Sequence, residues 1–140
     1  MRRTWVAATL LACALMTAAP AAQTLPTLTA PVNDFAGVID APSAAELDRR
    51  IRALEAATKD AVVVVTVKTF APYGSIEEFA VRLFEKAGIG PRNSDNGVLI
   101  VLAETERRVR IEVGYGLEEF ITDGFAGDVI RQAMLPEFRS

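Results

Sequence analysis

The 140-residue chain has no histidine and a single cysteine, Cys13, and these two shortages remove much of enzyme chemistry. A Ser-His-Asp or Cys-His nucleophile needs an imidazole base, so neither can be assembled in its usual form. Zinc is disfavoured for the same reason, because imidazole is absent and no second thiol exists. One thiol cannot form an internal disulfide. No cluster of Lys and Arg is long enough to track a phosphate backbone, so nucleic acid is not an expected partner.

What the chain does have begins with a leader. Arg2 and Arg3 precede an uncharged stretch from Thr4 to Ala19, and Ala19-Pro20-Ala21 supplies small residues for cleavage. This layout predicts a secretory signal peptide over residues 1–22 and an exported, periplasmic or otherwise extracytoplasmic protein. The apolar stretch is shorter than the roughly 20 residues a membrane span requires, and Pro20 follows it. Leu10-Leu11-Ala12-Cys13 resembles a lipoprotein box, but apolar residues continue past Cys13, which favours cleavage over lipidation. Without Arg2 and Arg3 the formal charge moves from −3 to −5. About 120 residues then remain, enough for one domain that buries about two-thirds of its unfolded surface.

Residues 23–31 carry three threonines and two prolines without periodicity and read as an extended linker, so the folded domain is expected over residues 32–140. Ser43 with Glu46 forms a capping box, and Leu47, Ile51 and Leu54 mark one apolar helix face. Ala61 to Val67 is rich in valine and does not alternate, the pattern of a strand buried on both faces at the sheet centre. Ser75 with Glu78 opens a second helix, which ends at Ala87-Gly88. Gly97 to Ala103 is another two-sided apolar strand, so the two strands and their intervening helix form a parallel crossover unit. Val109, Ile111 and Val113 alternate with Arg108, Arg110 and Glu112, the pattern of a half-exposed antiparallel hairpin strand near an edge. A third helix is expected from Asp123 onward. These elements predict an α/β fold, a three-layer α/β/α sandwich with a mostly parallel sheet, one βαβ crossover and one antiparallel hairpin strand.

The loops suggest a site. The loop from Gly88 to Asn96 enters one strand at Gly97, and the returning strand leaves at Gly114, which puts Asp95 and Asp123 at one sheet edge. If the Val32 to Val38 segment runs alongside, Asp34 joins them. Oxygen ligands of this kind suit calcium or magnesium. Each aspartate also has a simpler role: Asp95-Asn96-Gly97 as a turn, Asp34 at a local bend, Asp123 as a helix cap. Arg92 is the one cation placed to meet an anion there, or it is a solvated surface group. Tyr115, between two glycines, is either displayed to a partner or folded over the sheet edge. Neither Gly88-Ile89-Gly90 nor Gly114-Tyr115-Gly116-Leu117 follows the strand, glycine loop, helix order of a dinucleotide site, so no nucleotide cofactor is expected.

Val32-Asn33-Asp34-Phe35-Ala36, Asp95-Asn96-Gly97-Val98-Leu99 and Val113-Gly114-Tyr115-Gly116-Leu117-Glu118 together resemble the signature of the TPM domain family. The resemblance spans Val32 to Ser140. It implies an exported module that binds a divalent cation through Asp34, Asp95 and Asp123 and assists an envelope or membrane protein complex. The alternative it implies is a metal-assisted acid phosphatase acting on phosphomonoesters. Members commonly continue beyond the point matching Ser140, so a longer, membrane-tethered form is expected.

Overall fold

A computed structural model describes residues 24–139 of the chain; the predicted signal peptide, with Cys13, and Gln23 lie outside the described residues. Four strands, β1 (Val32–Asp34), β2 (Ala61–Val67), β3 (Gly97–Ala103) and β4 (Arg108–Val113), form one sheet in the order β1-β2-β3-β4. The first three are parallel, and β4 turns back antiparallel to β3. The helices are α1 (Ala41–Thr58), α2 (Ile76–Ala87) and α3 (Asp123–Val129), the last running on into a π-helical turn, Ile130–Met134. This is the α/β fold the sequence predicts, and the crossover strands Ala61–Val67 and Gly97–Ala103 fall where the apolar runs place them. Among the described residues no helix is long and apolar enough to cross a membrane.

Alternation divides the core. Val65, Val67, Leu99, Val101 and Ala103 point to one sheet face, where Ile76, Phe79, Ala80 and Leu83 of α2 bury against them. Val98 and Ile111 point to the other, beneath Ala126 of α3 and the partly buried Leu117, Ile121 and Ile130. Burial on both faces explains why β2 and β3 lack a polar side.

Two local features differ from expectation. Helix α1 starts at Ala41, with Asp40 as its cap: the Asp40 carboxylate accepts the Ser43 N–H at 2.9 Å, and Pro42 sits in the first turn. A proline there loses no helical hydrogen bond, so the helix opens earlier than the Ser43 box suggests. Glu46 instead pairs with Arg49 and Arg50. The second difference is the segment before β1. It is extended but docked, with Leu25 and Leu28 packed on the α2-side core. Lys86 Nζ donates to the Leu25 carbonyl at 2.5 Å, and Asn33 Oδ1 accepts the Thr29 N–H at 3.0 Å. The folded unit therefore includes residues 24–31.

Candidate functional site

Three chain segments meet at the N-terminal end of the parallel strands. The turn leaving α1 reverses at Lys59, whose φ is 70°, and delivers Asp60 to the start of β2. The turn from Pro91 to Asp95 leads into β3, and its last residue, Asp95, has φ 48°. Asn96 joins the two turns: its Nδ2 donates to the Lys59 carbonyl at 3.0 Å and to the Asp60 carboxylate at 2.7 Å, and its carbonyl accepts the Ala61 N–H. The third segment, Gly114 to Leu117, lies against the second. Gly114 donates to the Gly97 carbonyl and Gly116 to the Asp95 carbonyl at 3.1 Å. A Cβ at Gly114 or Gly116 would stand 2.0 or 1.9 Å from a carbonyl oxygen of Asp95 or Ser94, so only glycine allows this approach.

Between these loops and α1 runs a groove of about 540 Å³. Its floor is apolar, from Val62, Val98, Leu117 and Ile121; Asp60, Ser94 and Asn96 form a polar end; Leu54 and Phe120 stand at its margins. Phe120 is 70% exposed and Tyr115, on the neighbouring turn, 81% exposed. Phe125, in the first turn of α3, is exposed as well.

The residues singled out from the sequence are divided by this arrangement. Asp95, Arg92 and Tyr115 are exposed on the loops of this edge, and Asp123 opens α3 two residues beyond the groove residue Ile121. Thr122, rather than Asp123, caps α3. Asp34 is elsewhere. Because β1 runs parallel to β2, Asp34 pairs in register with Thr66, whereas Gly97 pairs with Ala61. The two ends of the sheet are separated by roughly 16 Å of strand. At its own end the Asp34 carboxylate accepts the Val38 and Ile39 N–H groups, at 3.1 and 2.9 Å, and the Thr66 hydroxyl. Burial pulls its pKa up, but these hydrogen bonds outweigh that and hold it below the usual carboxylate value. The expected meeting of Asp34 with Asp95 and Asp123 does not occur, and among the described residues no three carboxylates gather as a metal-ligand set. The predicted calcium or magnesium donors do not fit one site.

The TPM domain family matches residues 32–140, a span that contains the loops and strands just described. The chain belongs to the TPM domain family. Its TPM domain is similar to the N-terminal domain of a protein from P. gingivalis, solved by solution NMR. The two share 34% identity and a TM-score of 0.72 over 78% of this chain and 69% of that one. A second NMR structure, the N-terminal domain of the cg2496 protein from Corynebacterium glutamicum, is 20% identical with a TM-score of 0.62, covering 84% and 75% of the two chains. That second likeness concerns fold alone. Comparison with curated proteins finds no match.

Sequence reasoning gave no role to Asp60 or Phe120 and missed the bridging role of Asn96. Asn96 was visible as the centre of Asp95-Asn96-Gly97, but its partners lie 36 and 37 residues away. Phe120 carries a signal that was available: a large apolar residue in a polar loop, between Glu119 and Thr122.

Proposed function

We propose that this TPM domain is the non-enzymatic binding module of an exported protein, and that its loop edge docks onto a protein of an envelope or membrane complex. The observation that carries this reading is the exposure of Tyr115 and Phe120 beside a groove with an apolar floor. Aromatic side chains left in water next to an apolar recess gain most when a partner covers them. The rim is mainly acidic, with Asp60, Asp95, Glu118, Glu119 and Asp123 against Lys59 and Arg92, so the partner segment is apolar and basic. Export supplies the envelope setting. The phosphatase alternative asks for a cation held by aspartates beside Arg92, and the three aspartates do not share a site.

The test is co-purification from detergent-solubilised envelope of the source cell. A partner should stay with the unaltered protein and with a Val81→Ser control on the exposed side of α2, and be lost with Tyr115→Ser/Phe120→Ser. Equal recovery with all three proteins would reject the loop edge as the docking surface.

A further inference from the structure

Strand β4 forms one edge of the sheet, and its hydrogen bonding can be followed residue by residue. Gly114 donates to the Gly97 carbonyl at 2.7 Å, which makes these two a hydrogen-bonded pair. Alternation along the register makes Leu99 with Glu112, Val101 with Arg110, and Ala103 with Arg108 hydrogen-bonded pairs as well. The residues between them, Val109, Ile111 and Val113, turn their N–H and C=O groups toward the outer edge. Among the described residues no hydrogen bond reaches those groups. The strand contains no proline, glycine or bulge that would blunt an edge.

We infer that this edge pairs with β4 of a second copy of the chain, antiparallel, about a two-fold axis through Ile111. In that register Ile111 meets the partner's Ile111 and Val109 meets the partner's Val113. Each of these residues donates and accepts once, so every outward group of the strand is satisfied. The intervening positions then select the register. Arg110 lies opposite the partner's Glu112, and Glu112 opposite the partner's Arg110, at the close non-hydrogen-bonded spacing where cross-strand charges act most strongly. Within one chain Arg110 and Glu112 already pair at 3.0 Å and are partly shielded, with 29% and 20% side-chain exposure. The seam joins two such pairs into one network. A slip by one residue turns the bonding groups of one copy away from the other. Of the two nearest registers that keep them facing, one sets Glu112 against the partner's Glu112, and the other sets Arg110 against the partner's Arg110 while bringing Arg108 opposite the partner's Glu112, so each contains a like-charge pair. Among these registers, the order Arg-Val-Arg-Ile-Glu-Val from Arg108 to Val113 therefore avoids every like-charge pair only in the one centred on Ile111. This surface is separate from the loop-edge groove, and its test does not depend on any other partner.

Sedimentation equilibrium of the purified chain from micromolar to millimolar concentration tests the seam. The unaltered protein should show a reversible monomer–dimer equilibrium. Arg110→Glu alone and Glu112→Arg alone should each weaken association about tenfold or more, while an equimolar mixture of the two variants should associate, because opposite charges again face each other. Val109→Pro removes an outward N–H that bonds nothing among the described residues, so it should leave the circular dichroism spectrum unchanged and abolish the dimer. A monomer at every concentration, or a dimer indifferent to Val109→Pro and to charge reversal, would overturn the inference.

Discussion

Asn96 and Asp60 are joined side chain to side chain at 2.7 Å, and through this bond the loop entering β3 holds the loop entering β2. The same amide reaches the Lys59 carbonyl, so one residue closes the polar end of the groove with two hydrogen bonds of long sequence separation. Asn96→Ala should cost about 1–2 kcal/mol in urea unfolding, the range for hydrogen bonds that are half-shielded from water. An unchanged midpoint would mean that the bridge does not hold the edge together.

Gly114 and Gly116 make a sharper prediction. Alanine at either position would push a methyl group into a carbonyl oxygen of the neighbouring loop, and backbone atoms yield less than side chains. Gly114→Ala and Gly116→Ala should each cost roughly 2–4 kcal/mol. Gly74→Ala serves as the contrast, since its Cβ would meet only the flexible end of Glu78 at 3.4 Å. Thermal melts in which all three variants behave alike would refute the loop-on-loop contact.

Acid stability should depend on Asp34. Its folded-state pKa is depressed below the ordinary 3.8, so its ionised form supports the fold fully above that value. The contribution is lost as pH falls through 3.8 and on through the lower folded pKa. Asp34→Asn should flatten this acid limb while leaving the shape of the curve near neutrality unaltered. A limb of the same steepness in the variant would assign the acid sensitivity to other carboxylates.

Cation dependence follows from where the aspartates lie. With Asp34 at the far end of the sheet, millimolar calcium or magnesium should leave the melting temperature within error of that in chelator, and Asp95→Ala should not change this comparison. A clear rise with either ion that disappears in Asp95→Ala would establish a cation site at the loop edge, and would reopen phosphomonoester hydrolysis as an activity to assay.

How far the sequence could be read follows from how long each signal is. Strands β2 and β3 are almost wholly apolar runs of seven residues, and β4 alternates cleanly, so their type and pairing were legible. Strand β1 has only three residues, too few for any period to declare itself, and its direction is fixed by partners 32 residues later. That is why Asp34 was expected at the wrong end of the sheet. Leu25 and Leu28 were hidden by the prolines and threonines around them; only the position of α2 and Lys86 gives those leucines a surface to cover. The groove was half legible. Its glycines and Asp95-Asn96-Gly97 stood out, whereas Asp60 gains its place only from the Asn96 bridge.

The contact between Gly114–Gly116 and Ser94–Asp95 has an implication for how recognition can diversify on this fold. The loop entering β3 and the turn leaving β4 are locked backbone to backbone, and neither tolerates added bulk where they touch. The next stretch, from Glu118 to Phe120, is exposed and makes no such contact. On the docking role proposed for this edge, exchange of those three side chains should redirect the module to a new client while the scaffold stays intact, which makes them a natural place to graft specificity.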